Sequence, residues 1–143
     1  MVIDDTESIT RLLEATERIA VLGIKTSAQA DAAAYYVPAY AQSVGFEVVP
    51  VPVYYPDVTE ILGQKVVRKV ADAAPIDMVN VFRRPRDLGA HLDDILAAKP
   101  KSVWLQLGIR DDVFAEKLSA AGITVVQDRC LMVELRLRRV KRN

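Results

Sequence analysis

Apolar residues along the chain follow two alternating rhythms. Short continuous apolar runs separate stretches in which apolar positions recur every three or four residues. That alternation predicts an α/β fold on a parallel sheet. Five strands are expected, at 18–23 (RIAVLG), 46–51 (FEVVPV), 77–82 (DMVNVF), 102–107 (SVWLQL) and 123–127 (ITVVQ). Helical spacing fills the gaps. Ile9, Leu12 and Leu13 share a face before the first strand, with Asp5 or Thr6 as the cap. Ala34, Val37, Ala41 and Val44 do so after it. Leu88, Leu92, Ile95 and Leu96 follow the third strand, with Asp87 as N-cap, and Phe114, Leu118 and Ala121 follow the fourth, with Gly122 as the stop. Between the second and third strands the rhythm fades: 54–63 reads as loop, and 64–74 as a small strand and a short helix. The expected architecture is a three-layer, Rossmann-like single domain over 1–143, with strand order 3-2-1-4-5.

In such a sheet ligands sit outside the carboxyl ends of the strands, where the strand order reverses. The expected order puts that crevice between strands one and four. The loop after Gly23 and the loop Gly108-Ile109-Arg110 would then frame it. Pro38 locates the end of the first loop. A proline deep in a helix costs about 3 kcal/mol, whereas the first turn has no hydrogen bonds to lose. A helix starting near Ala34 therefore places Pro38 in its opening turn and points its N-terminus at the crevice, a ready site for an anion. Lys25, Thr26 and Ser27 add donors. The dinucleotide fingerprint is absent: G-x-G-x-x-G laid over 23–28 meets Gly-Ile-Lys-Thr-Ser-Ala, and Val51-Pro52-Val53 stands where the ribose-binding acid belongs. A nicotinamide or flavin dinucleotide is disfavoured.

Composition narrows the classes further. The 143 residues suit one domain, half of them are apolar, and 19 basic residues balance 19 acidic ones. No global charge draws the chain to nucleic acid or membrane. The basic tail Arg136, Arg138, Arg139, Lys141, Arg142 reads as a solvated helix end. The start, Met1-Val2-Ile3-Asp4-Asp5, lacks the basic and apolar regions of a signal peptide, and no apolar run spans a bilayer. A cytoplasmic protein is expected. One cysteine and one histidine build neither a disulfide nor a zinc site.

Three segments carry a resemblance: Asn80-Val81-Phe82-Arg83-Arg84-Pro85, Trp104-Leu105-Gln106-Leu107-Gly108-Ile109-Arg110, and Asp128-Arg129-Cys130-Leu131-Met132-Val133-Glu134. With IAVLG and VVPV in the first two strands, they resemble the small bacterial and archaeal CoA-binding protein family. Its fold is shared with the CoA-binding domain of the succinyl-CoA synthetase alpha subunit. The resemblance implies coenzyme A as ligand, its pyrophosphate against the loop after Gly23 and its adenosine near the ends of strands two and three. The residues it assigns are Gly23, Phe82, Arg83, Arg84, Pro85, Gln106 and Gly108; Ile24, Lys25, Thr26, Ser27 and Val53 complete the expected lining. Two stretches depart from the family. Ala32-Ala33-Ala34 replaces an Arg-Pro-Ser-like entry to the helix, and Val51-Pro52-Val53 replaces Val-Asn-Pro.

Alternation along a strand makes Arg83 and Arg84 diverge. One would meet phosphate and the other an acid. Cys130 follows Asp128-Arg129 and is a candidate reactive thiol, if Arg129 favours its thiolate; buried inertness is the plainer reading. His91 falls in a helical pattern away from any nucleophile, so no catalytic residues or metal ligands are assigned. The expected role is binding of coenzyme A or an acyl-CoA as sensor, carrier or accessory protein, without nucleic acid or membrane. The alternative is a ligase or transferase component that needs a partner subunit. Homodimerisation is left open.

Overall fold

A computed structural model describes residues 1–143. Along the chain run α1 (Thr6–Glu14), β1 (Arg18–Leu22), α2 (Ala33–Ser43), β2 (Glu47–Val51), the short pair β3 (Glu60–Ile61) and β4 (Gln64–Lys65), β5 (Met78–Val81), α3 (Leu92–Ala98), β6 (Ser102–Leu105), α4 (Asp112–Ala120), β7 (Thr124–Val126) and α5 (Leu131–Arg138). The five long strands form one parallel sheet, β2-β1-β5-β6-β7. Helices cover both faces, as the Rossmann-like reading requires.

The strand order departs from expectation. Counted among the five long strands it is 2-1-3-4-5, not 3-2-1-4-5. The cause lies between β2 and β5, where no crossover helix forms. The chain leaving the β3–β4 hairpin bonds along the outer edge of β2, Val67 N–H to the Pro50 carbonyl at 3.1 Å. A 3₁₀ turn at Val70–Ala73 then buries Val70 and Ala73 against one sheet face. With the outer edge of β2 occupied, the third long strand pairs with the free edge of β1, in register Ile19↔Met78 to Leu22↔Val81. All four β5 residues are buried, which suits a central strand.

Period-two alternation sorts the core. Ala20, Leu22, Val79, Val81, Val103 and Leu105 face α3, α4 and the 70–73 turn. Ile19, Val21, Met78, Trp104 and Val126 face α1, α2 and α5. Trp104 is fully buried, and its indole N–H donates to the Arg129 carbonyl at 2.8 Å.

Three local expectations change. Pro38 sits inside α2, deeper than the free first turn. It has no N–H for the Ala34 carbonyl, and that carbonyl accepts the Lys25 N–H instead, at 3.0 Å. A missing helix bond thus becomes a tether for the loop after β1. Asp87 does not cap a helix: Pro85–His91 is 3₁₀ with Arg84 at its N-cap, and α3 starts only at Leu92. The tail is not simply solvated. Arg138 pairs with buried Glu134 at 3.0 Å, and Arg142 donates to the Leu13, Glu14 and Thr16 carbonyls at the end of α1. These guanidiniums satisfy helix-end carbonyls that would otherwise lack donors.

Candidate functional site

In a 2-1-3-4-5 sheet the order reverses between β1 and β5, so the crevice lies there. The frame changes with it. The loop after Gly23 stays, but its partner is the loop after Phe82, not Gly108-Ile109-Arg110.

Gly23 ends β1 with φ +87°. A Cβ there would lie 2.3 Å from the Phe82 carbonyl oxygen and 3.3 Å from the Cδ of Arg83. Only glycine lets the two loops close to this separation. Ile24 is buried beneath them and anchors the turn in the core. Lys25 is half-buried, its backbone held by Ala34. Thr26 caps a short 3₁₀ turn at Ser27–Gln29 through a reciprocal capping box with Gln29. The Thr26 hydroxyl is therefore engaged locally, while Ser27 is exposed. No side chain caps α2, whose N-cap is Ala32. Its first N–H groups thus have no side-chain acceptor, as the loss of the family's polar helix entry implies.

On the other side of the crevice Arg83 and Arg84 lie beyond the end of β5, differ in exposure, and both reach the same Asp87 carboxylate, so they do not diverge as strand alternation predicts. The Arg84 side chain is 61% exposed and bonds Asp87 at 2.9 Å. The Arg83 side chain is 14% exposed and crosses above Gly23 toward the end of β2. Its Nε–H donates to Nε2 of His91 at 3.2 Å, and its Nη1 lies 3.5 Å from the Tyr54 hydroxyl. The guanidinium also lies 5.7 Å from the Tyr54 ring centre. Asp87 is at 3.8 Å. Hydrogen bonding and charge from Arg83 hold the Tyr54 phenol below its usual pKa of 10.0. Burial, then the Arg83 charge, hold the His91 imidazole below 6.5. Val53 is half-buried against the core below Tyr54, Phe82 packs on the opposite face, and Pro85 opens the 3₁₀ turn.

Other expected lining residues separate from this cluster. Gln106 is 4% exposed, with its Oε1 accepting from Asn80 Nδ2 and from the Leu131 N–H, both at 3.3 Å. It joins β6 to the start of α5 rather than standing open at the crevice mouth. Gly108 has φ +86° and open space where a Cβ would stand, with its N–H bonded to Asp128 at 2.6 Å. Cys130 is the half-buried N-cap residue of α5. The guanidinium of the preceding Arg129 is shared between Asp4 at 2.9 Å and Glu134 at 3.1 Å.

His91 and Tyr54 are the members that sequence reasoning missed. Helical spacing of Leu88, Leu92 and Ile95 made His91 look like one more helix position. The signal was Pro85, which starts a 3₁₀ turn and changes the direction of the side chain six residues later. Tyr54 lay in an aperiodic loop.

A broad concavity, about 1150 Å³, is at the opposite, amino-terminal edge of the sheet, among Arg18, Glu47, Asp77, Lys101 and Arg142. Several of its charges pair with one another: Arg18 bonds Glu47 at 2.6 Å, and Asp77 accepts from the Glu17 and Arg18 N–H groups and meets Lys101 at 3.4 Å, while Arg18 Nε is buried without a partner. The case for the carboxyl edge rests on the reversal of strand order there. No group of three or more His, Cys, Asp or Glu side chains is placed to hold a metal ion, and no helix is long and apolar enough to cross a membrane.

The chain is similar to several known proteins. YneT of Bacillus subtilis (strain 168) is 33% identical over 126 residues, covering 87% of this chain and 90% of that protein. The structure of cell-free ID.343 from Thermus thermophilus is 38% identical, with TM-score 0.85 over 94% of this chain and 99% of that one. Acetyl-coenzyme A synthetase 1 of Ca. Korarchaeum cryptofilum, 21% identical, shares the fold at TM-score 0.64, with 82% of this chain matching 27% of that one. The family model described as CoA binding domain matches residues 17–136. That match spans both loops of the crevice and every long strand, and the chain belongs to the CoA binding domain family.

Proposed function

We propose that this chain binds coenzyme A or an acyl-CoA across the carboxyl ends of β1 and β5, as a sensor, carrier or accessory protein without chemistry of its own. The observation that carries the reading is the meeting at Gly23. There the order reversal, a backbone approach closed to any side chain, the Lys25 loop, the uncapped start of α2 and the Arg83 guanidinium converge. The donor set fits a phosphorylated ligand. Backbone N–H groups at the start of α2, the Arg83 guanidinium and the loop that carries Lys25 border one crevice, without a ribose-binding acid. Arg83 and Lys25 would hold phosphate, with Arg84 at the exposed rim. Thr26 and Ser27 would border the loop side, and Val53 and Phe82 would supply apolar walls.

A ligand panel tests this. Coenzyme A should raise the thermal midpoint at concentrations where NAD has no effect. At 100 times the Kd, it should add about 2.7 kcal/mol of stability. Affinity measured by calorimetry should fall from coenzyme A to dephospho-CoA to pantetheine. Equal protection by NAD, or equal affinity for pantetheine, would overturn the reading.

A further inference from the structure

His91 is the only histidine in the chain, and nothing in the reading above gives it a task. Its placement is specific. Nε2 accepts the Nε–H of Arg83, so the imidazole is neutral there and carries its proton on Nδ1. The ring is half-buried. The charged and titratable groups around it come from three elements besides its own turn. Arg83 is on the loop after β5, Asp94 on α3, and Tyr54 faces it from the loop after β2 through the same guanidinium. Asp87 lies on the 3₁₀ turn itself and already pairs with Arg84 and Arg83. Asp94 is also spoken for, since its carboxylate accepts the Val70 and Ala71 N–H groups at 2.7 and 2.9 Å. Neither carboxylate is bonded to His91.

This leaves an imidazole beside a cation, with its own charging opposed by burial and by that cation. An anion on Arg83 reverses the balance. Phosphate oxygens at the guanidinium would cancel the Arg83 charge and draw its Nε–H away from His91 Nε2, so that Nε2 can take up a proton and donate it to the phosphate. We propose that His91 is a second, proton-linked ligand for the phosphate received by Arg83, so that binding at this end of the sheet takes up a proton at His91. The inference rests on the coenzyme A reading and adds a residue and a linkage to it. Its sign follows from linkage. A ligand that raises the imidazole pKa binds more tightly as pH falls from above the bound-state value to below it, down to the free-state value, and by at most about tenfold per pH unit for one proton.

Because the chain holds one imidazole, proton NMR reads it without assignment of a crowded region. The His91 ring resonances should be titrated in the free protein, and with saturating coenzyme A, dephospho-CoA and pantetheine. Coenzyme A should raise the midpoint by about one unit or more, as a nearby opposite charge does, and pantetheine should leave it in place. A shift with dephospho-CoA equal to that with coenzyme A assigns the contact to the pyrophosphate; a shift with coenzyme A alone assigns it to the 3′-phosphate. Calorimetry near pH 6 in two buffers of different ionisation enthalpy gives the second readout: wild type should take up more protons per coenzyme A than His91→Gln. If coenzyme A perturbs other resonances but leaves the His91 midpoint unmoved, or if both proteins take up equal protons, the inference falls and the binding reading stands. If coenzyme A perturbs no resonance at any pH, both fall.

Discussion

The two ends of the parallel sheet differ in a way their shapes conceal. The amino edge holds a broad concavity in which most charges pair with one another, although Arg18 Nε is buried without a partner. Asp77 accepts two backbone N–H groups and meets Lys101, Arg18 holds Glu47, and Arg142 takes up carbonyls at the end of α1. The carboxyl edge carries a helix start without a side-chain cap and two arginines, Arg84 exposed and bonded to Asp87, Arg83 lying over Gly23 and bonded to His91. Unused hydrogen-bonding capacity, more than volume, marks where a charged ligand gains free energy, because matched groups must first be unpaired.

Four substitutions press on this contrast. Gly23→Ala should do the most damage. It places a Cβ 2.3 Å from the Phe82 carbonyl oxygen at φ +87°; strain and overpacking together should cost about 2–5 kcal/mol, measured by urea unfolding. A variant as stable as wild type would mean that the two loops do not meet as closely as described. Changing Arg83 and Arg84 together to Ala should remove about 1.5–3 kcal/mol of coenzyme A affinity, while pantetheine loses far less. Equal loss for both ligands in calorimetry would move the phosphates elsewhere.

At the other edge the pattern should invert. Asp77→Ala strands the Glu17 and Arg18 N–H groups and should cost about 1–2 kcal/mol of stability with coenzyme A affinity unchanged. The Asp77 carboxyl is pushed up by burial, but the Arg18 and Glu17 N–H groups and Lys101 outweigh that and hold it below 3.8. A lowered folded pKa means that the unfolded chain protonates first. The stability it contributes is present above about pH 4 and lost as pH falls through the folded value. Denaturant midpoints of wild type and Asp77→Ala should therefore converge as pH falls below 3.8. Smallest of all, Cys130→Ser should leave coenzyme A affinity nearly unchanged, because Arg129 is committed to Asp4 and Glu134. A tenfold loss would place the thiol in the site.

Much of the sheet was legible in the sequence because each long strand is an apolar run bounded by a clear helical period. Their order was not. It depends on Val67 occupying the outer edge of β2, a backbone contact made by a segment without periodicity. Moving the reversal from β1/β6 to β1/β5 shifted the crevice, retained Gly23 and the arginine pair, and turned Gln106 inward to α5. The expected divergence of Arg83 and Arg84 did not follow, because β5 ends at Val81 and both arginines, in the loop beyond it, reach Asp87. Nor was His91 legible, because a 3₁₀ turn and an α-helix share the same apolar spacing over one turn and aim the next side chain differently.

The tether between Lys25 and Ala34 has a consequence on the time axis. Loop amides with water as their only partner lose deuterium label quickly, but the Lys25 amide is bonded to a helix carbonyl that Pro38 has left without its usual donor. That one amide should exchange as slowly as the first turn of α2 opens, amid faster neighbours on the loop. It is a built-in clock for the crevice. A ligand that closes on the loop should slow it further, and Pro38→Ala, which returns a competing donor to the helix, should speed it up.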